Sequence, residues 1–480
     1  DIPVIYSDTF SQADSLKAIN VSINYYELYD DKWKNEIDQA SFALLSETDS
    51  SFQTKNGFEY LEMYYRDRSH ATILLNAPTN LIQFDENSIP GATITEIGQH
   101  AFSECKNLKH VKLSKHINQI DSYAFYGCEA LESIFSENTD SITIQENALE
   151  ITDSWLFDLR YMAFNAKKAI FENDYLPSVT RQIYIPFDGE GYNGGNTYSG
   201  AYFIDESYGG EILYGYARGT DQNGNTVTVE DEFYLINATT DVQGDVATKE
   251  GTFEICTSAF EDVPITSIQF NMTDDMYWID DYAFYGTNLT GELVLPDGLG
   301  PIGQVAFYGS NISKVIFPKT YGNDTDYPAC LWTNTFGGDE SLSEIVFQNA
   351  TPIELFYNKF TEYTFGDMAS EDFHITLIGA AKGLEQKYID AWKYRFIACE
   401  NNDPSVNEEK LNQSVKKIAG LLGYTLPETG TQPDDNQEVV PDVEKAPEDN
   451  QQEVNDEDQN DQQDENKQEA LENEVDENDN

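Results

Sequence analysis

Apolar residues recur along this chain at a fixed distance that is neither a helical nor a strand period. In the stretch Ile97-Gly-Gln-His-Ala101-Phe102-Ser-Glu-Cys105-Lys-Asn-Leu108-Lys-His-Val111-Lys-Leu113, the key positions return 23 residues later as Ile120, Ala124, Phe125, Cys128, Leu131 and Ile134. With the Phe as position zero, Ile stands at -5, Ala at -1, a small residue at +3, Leu at +6 and a β-branched residue at +9. The same register fits Ile5, Phe10, Ala13, Leu16, Ile19 and Val21. It begins again in a second block at Phe260, Phe284 and Phe307, with weaker copies at Phe336 and Phe365.

A 23-residue apolar unit is too short to close a core of its own, so each unit has to bury its Ile, Phe and Leu against the units before and after it. The β-branched segments, such as 110–113 and 313–317, predict one strand per coil, paired in parallel. The Ala-Phe step turns the chain inward, and Gly or Asn near +2 to +5 turns it back. The expected fold class is a β-dominated α/β right-handed solenoid of parallel strands.

These residues resemble the BspA-type leucine-rich repeats of bacterial and some protist surface proteins. The wording I-x-x-I-x-x-x-A-F-x-x-C-x-x-L-x-x-[VI]-x-[LIF] is matched nearly position for position from Ile94 to Leu113. Residues 282–299 look like the variant with a Leu-Thr-Gly insertion, and Phe58 to Ile82 resembles the hairpin-bearing unit that precedes a restart, here Ile89-Pro90 to Phe102. Residues 375–392 resemble a closing strand and a Tyr/Trp helix. Thr287 and Ser310 depart from the Cys usual at +3. The resemblance implies a leucine-rich-repeat solenoid and an adhesive, non-enzymatic role.

Four regions follow. Repeats occupy 1–137 and 251–400, a β-rich insertion occupies 138–250, and 401–480 is an acidic disordered tail. Within the insertion, a degraded coil (Ile142, Ile144, Ala148), a helix around 155–171 and strands at 182–185, 200–204, 211–216 and 226–229 are expected. A short helix is expected from Asn407 to Leu422.

Charge sharpens this division. The formal net charge of the 480-residue chain is -58, and residues 431–480 hold 20 Asp and Glu, 2 Lys and no aromatic residue. That stretch has the composition of a solvated segment. The overall acidity speaks against nucleic acid as a partner. No run approaches the roughly 18–20 apolar residues of a membrane span, so no membrane insertion is expected. The first residues, Asp1-Ile2-Pro3-Val4, contain no initiator Met or signal peptide and read as a processed or truncated chain. Five cysteines without CxxC spacing argue against a disulfide scaffold or a zinc ribbon. Cys105 and Cys128 occupy equivalent places in adjacent coils, where either a bridge or two packed thiols would fit.

Candidate chemistry is sparse. Gly189-Glu-Gly191-Tyr-Asn-Gly194 matches GxGxxG but is followed by turn and strand residues instead of a helix, so a Gly-rich loop is the default. Asp221-Gln-Asn223-Gly224-Asn225 with Glu232 partly spells a calcium loop, yet the Asn-Gly pair fits a hairpin turn better. Pairs such as Asp274-Asp275 and Asp280-Asp281 invite a glycosidase reading, with no preferred pair among the body's many acids. No cofactor is called for. Leu426-Pro427-Glu428-Thr429-Gly430 spells the Gram-positive sorting pentapeptide, but acidic sequence follows it in place of an apolar span.

The leading expectation is a secreted or cell-surface, monomeric adhesion protein that recognises a host or neighbouring-cell protein or glycan through its solenoid face. Candidate contacts are the outward strand residues Lys109, His110, Lys112, Lys314 and Glu344 and the insertion aromatics Tyr192, Tyr198, Tyr202, Tyr214 and Tyr216. The alternatives are a carbohydrate- or wall-active protein with its chemistry in 138–250, and a structural coat protein.

Overall fold

The structure is a computed structural model that describes residues 50–64, 70–148, 159–171, 183–186, 199–271, 278–319, 330–332, 334–355, 372–396 and 406–427, together with the backbones of two short strands. Those two strands, Ala18–Val21 and Ala43–Ser46, pair in parallel. Other expectations placed before residue 50, and Phe365, lie outside the described residues.

Each coil of the first block contributes two strands, where the pattern suggested one. The +9 segments give the strands Gln83–Phe84, His110–Leu113, Ser133–Ser136, Tyr161–Phe164 and Ile183–Tyr184, which form one parallel sheet. The Ile at -5 marks a second row of strands, Glu96–Ile97, Gln119–Ile120, Ser141–Ile144 and Lys168–Phe171. An isoleucine every 23 residues looks like a packing residue alone, but its backbone also bonds to the neighbouring coil. Val111, Ile134, Met162 and Ile183 then form one inward row, and Ile97, Ile120 and Ile144 another. All are buried.

Between the rows stands the Phe at position zero. Phe102 and Phe125 stack with centroids 5.3 Å apart and planes 5° from parallel. Phe260, Phe284, Phe307 and Phe336 continue the motif in the second block at 5.3, 4.9 and 5.3 Å. These distances follow the strand spacing of about 4.8 Å. Each fully buried Phe contributes about 1.5–3 kcal/mol, with up to about 1.5 more from ring geometry.

The corners explain how the Phe comes inward. The residue at -2 is left-handed in every described coil: His100, Tyr123, Asn147, Ser258, Tyr282, Val305 and Asn334 have φ between 50° and 59°. Position +2 is left-handed as well, with Gly127, Gly286, Gly309 and Gly338, and with Glu104 and Asp262 in two coils. Corner amides therefore bond to the next coil instead of to solvent, as in Phe102 N to Ala124 O at 2.9 Å and Phe284 N to Ala306 O at 2.7 Å.

Cys105 and Cys128 are free and buried at +3. The Cys128 thiol donates to Phe102 O of the preceding coil at 3.1 Å. Burial pushes the Cys105 thiol up to about 11 and raises Cys128 too, with Cys105 adding to it. Thiols so placed are packing groups, not nucleophiles.

The region 138–250 differs from expectation. Residues 161–164 and 168–171 are strands, not a helix, because Met162 and Phe164 fill inward positions of further coils. The solenoid therefore runs to Tyr184, past the expected boundary at 137. What remains is a meander of Tyr202–Asp205, Ile212–Thr220 and Thr226–Ala238, whose last strand pairs in parallel with Thr252–Ile255. The same arrangement stands ahead of the first block's coils from residue 83 on, after the parallel pair at 18–21 and 43–46. Ser50–Lys55, Phe58–Tyr64 and His70–Asn76 form an antiparallel meander, and its last strand pairs in parallel with Glu96–Ile97. The supposed insertion is thus the opening hairpin of the second block.

The second block stacks Thr290–Val294, Asn311–Ile316, Glu344–Phe347 and His374–Leu377 in parallel. The helix Glu385–Trp392 closes it, with Tyr388 OH donating to Asn349 O at 2.7 Å and Trp392 Nε1 to Ile353 O at 2.9 Å. A second helix, Glu408–Leu421, is capped by Asn407 Oδ1 accepting from Lys410 N at 2.8 Å. Its Ile418 and Ala419 join the core, so residues 408–421 belong to the packed body and not to the acidic tail.

Gly286 tests the corner geometry. Its φ is +68°, and an added Cβ collides with the Asp262 carboxylate of the coil before. Gly286→Ala should lower stability by about 1–2 kcal/mol, read from urea unfolding.

Candidate functional site

The outward side chains of the first block's long strands are where a solenoid would meet a partner. Here they meet the hairpin of the second block. Phe135, Tyr161, Ala163 and Tyr184 are buried against Tyr202, Leu213, Ile236 and Cys256. Polar pins surround this apolar seam. Lys109 Nζ lies 2.6 Å from Asp241 and 3.2 Å from Glu132, and Glu132 also accepts from Thr240 N and Oγ1 at 2.7 Å each. The Arg160 guanidinium donates to Asn237 Oδ1, Ala238 O and Glu261 O at 3.2, 3.0 and 2.8 Å.

At the centre, Ser133 Oγ is 3.0 Å from His110 Nδ1, and His110 Nε2 is 3.1 Å from Asp241 Oδ2. The order Ser, His, Asp is that of a nucleophilic triad. Its chemistry is not. Ser133 is fully buried, and its hydroxyl donates to Glu211 Oε2, as does Tyr161 OH at 2.7 Å. The serine proton thus goes to a carboxylate, and no substrate carbonyl can reach Oγ. Desolvation alone would raise Asp241, but hydrogen bonds from Lys109 and His110 outweigh it and hold the carboxyl below its usual range.

The structure thus brings Lys109 and His110 together and spends them on the seam. Lys112 is half-buried, 3.5 Å from Glu137. Tyr202 and Tyr214 were expected to offer rings to a ligand and do not. Both are buried, Tyr202 OH donating to Ile185 O and Tyr214 OH accepting from Lys249 N, because alternate residues of their strands face the two cores. Tyr216 is half-buried against Phe203 and Phe233. Tyr192 and Tyr198 lie outside the described residues, as do Glu428, Thr429 and Gly430. Leu426 packs on the core beside an exposed Pro427. Glu132, Arg160, Glu211 and Asp241 were missed. The only signal for Arg160 is one cation in the apolar run 159–164, and the carboxylates meet their partners across the seam from 50 to 132 residues away.

The second block presents a different surface. Glu292, Lys314, Glu344 and His374 fall in one cross-strand row. Lys314 Nζ is 3.5 Å from Glu292 and 3.3 Å from Glu344, and His374 is 3.7 Å from Glu344. The hydrogen bond from Thr376 Oγ1 and the Lys314 ammonium hold Glu344 below its usual range. Val294, in the neighbouring row, is 54% exposed.

Elsewhere, Asp221 is absorbed by its own turn, accepting from Asn223 N, Asn225 N and Asn225 Nδ2, so the calcium-like spelling is a hairpin turn. Among the described residues no three metal-ligating side chains converge. Burial pushes Glu254 up to about 7, helped by Asp280 and opposed by Arg218. Asp280 is itself raised, by burial first. Neither lines the cleft beside His110.

The family model for the BspA type leucine-rich repeat region matches in six copies, over residues 73–183 and 253–375. Over these residues the chain carries BspA-type leucine-rich repeats. Among solved structures it is similar to a leucine-rich repeat protein from Bacteroides ovatus ATCC 8483, at 14% identity over 70% of this chain and 76% of that one, with a TM-score of 0.30. A leucine-rich cell surface protein from Faecalibacterium prausnitzii A2-165 gives 14% identity, 71% and 97% coverage and a TM-score of 0.28. The pneumococcal vaccine antigen PcpA gives 15%, 72% and 96%, with a TM-score of 0.25. No curated protein matched.

Glu254 makes a pH prediction. Its folded value of about 7 stands above the ordinary 4.5, so the folded state binds the proton more tightly and stability falls as pH rises from about 4.5 through 7. Glu254→Gln should leave stability near pH 4.5 unchanged and raise it at pH 8 by about 1–3 kcal/mol, measured by denaturant unfolding at the two pH values.

Proposed function

We propose that this is a non-enzymatic, monomeric cell-surface binding protein that recognises a protein or glycan partner through the outward strand face of its second block. The supporting observation is the contrast between blocks. The equivalent face of the first block is covered by the hairpin, while the second keeps Glu292, Lys314 and His374 at the surface beside Val294. Four strands at about 4.8 Å spacing make a charge-alternating strip with an apolar margin, a surface suited to contact over area without a deep pocket.

The net charge of -58 favours a partner with basic or neutral character over a polyphosphate. The surface location follows the repeat family. Among the described residues no helix is long and apolar enough to cross a membrane.

Lys314→Glu combined with Val294→Asp changes this strip without touching a buried side chain. Screened against immobilised extracellular-matrix proteins and a glycan array, the native protein should bind at least one surface, and the double variant should lose about tenfold or more in affinity at an unchanged melting temperature. Full binding by the double variant would move the contact elsewhere, and turnover of a bound glycan would replace the binding reading with an enzymatic one.

A further inference from the structure

We infer that the cleft at the seam between the first block and the hairpin binds a primary ammonium group. It has a volume of about 210 Å³, and Asp85, His110, Lys112, Glu206 and Glu211 contribute its ionisable walls. The side chain of Glu211 is 8% exposed and belongs to this lining. Its Oε2 already accepts the hydroxyls of Ser133 and Tyr161, whereas Oε1 has no partner among the described residues. A carboxylate with one oxygen doubly satisfied and the other open only to the water of the cleft is an acceptor available to a ligand, and a charged donor strengthens such a bond most.

The wall is rigid. Glu211 N donates to Thr239 Oγ1 at 2.9 Å and Glu211 O accepts from Thr239 N at 2.9 Å, which fixes its backbone just ahead of the strand Ile212–Thr220. Gly210, also in the lining, leaves no room for a Cβ, which would press on Val242 N and Thr239 Oγ1. The carboxylate is therefore positioned before any ligand arrives.

Charge selects the ligand. The two basic side chains of the wall are already engaged, His110 by Asp241 at 3.1 Å and by Glu211 Oε2 at 3.7 Å, and Lys112 by Glu137 at 3.5 Å. Asp85 is occupied by Asn87 and Ser88 of its own turn. Glu206 stands exposed, and with Glu211 it leaves the cleft anionic. An anion would meet repulsion, and a neutral group would leave Glu211 Oε1 without a charged donor. An ammonium on a compact polar body, whether an amino sugar or a lysine side chain, satisfies Glu211 Oε1 and is attracted by Glu206. The site lies on the first block and the hairpin, apart from the strip of the second block, so it is independent of the proposed binding face.

The test titrates the full chain near pH 7 at low ionic strength, by calorimetry or ligand-observed NMR, with glucosamine, cadaverine and, as the neutral control, N-acetylglucosamine. At least one amine should bind about tenfold or more tightly than N-acetylglucosamine, and the preferred amine tells an amino sugar from a lysine-like chain. Glu206→Gln should weaken that binding by about threefold, and 0.5 M salt should weaken it similarly. Glu211→Gln, which keeps an oxygen for Ser133 and Tyr161, should reduce it about tenfold. Should that variant fail to fold, Glu206→Gln and the salt series decide alone. Equal binding of glucosamine and N-acetylglucosamine, no binding of either amine, or affinity indifferent to Glu206→Gln and to salt overturns the inference.

Discussion

A coil of about 23 residues cannot enclose its own apolar side chains, so its Ile, Phe and Leu are buried only while the next coil is bonded alongside. Everything else in the structure answers to that requirement. Two strand rows set the spacing between coils, and the Phe stack at 4.9–5.3 Å fills the space they leave. The left-handed corners at -2 and +2 aim backbone amides along the stack, so that even the bends contribute bonds between coils. The +3 side chain adds a further tie, as Cys128 does to Phe102 O.

The stack also dictates where it must begin and end. An exposed end of such an array would leave a row of Phe and Ile open to water. Ahead of each described stack stands an antiparallel hairpin, whose strands supply bonds within one short stretch of chain, and the second stack closes on helices carrying Tyr388, Trp392 and Ile418. The second hairpin does two things at once. Its inward residues start a core, and its other face lies across Phe135, Tyr161 and Tyr184, joining the blocks through a seam where Lys109, His110 and Arg160 find their partners.

The repeat was legible because it is built from local periodicity. Ile97, Phe102, Leu108 and Val111 announce a coil, and their successors announce its neighbours. The strand at -5 was hidden because one isoleucine per coil gives no alternation to read. The -2 corner was hidden because His, Tyr, Asn, Ser and Val share no preference for a left-handed backbone, which the hydrogen bonds on either side impose. The coils at 161–171 escaped because Tyr161 and Ala163 face a second core, turning the expected alternation into a continuous apolar run that resembles a helix. The seam itself was beyond reach. Nothing near His110 names Asp241, and the outward tyrosines of the hairpin look the same in sequence whether they face solvent or a neighbouring sheet. Cys105 and Cys128 were correctly placed together, but only their contacts showed two packed thiols.

The paired hairpin starts have a consequence for how this architecture can change over generations. Because each stack carries its own beginning, the number of coils within a block is not fixed by the blocks around it. A whole coil gained or lost between a start and the next boundary would move the -5, zero and +9 positions together and leave every row in phase. A loss of one or two residues would replace a stacked ring by its neighbour, Glu261 or Asp262 at the place of Phe260 and Gly337 or Gly338 at the place of Phe336. Such a chain is expected to vary in length by quanta of one turn, with the seam at Ser133, Tyr161 and Glu211 as the place where that freedom stops.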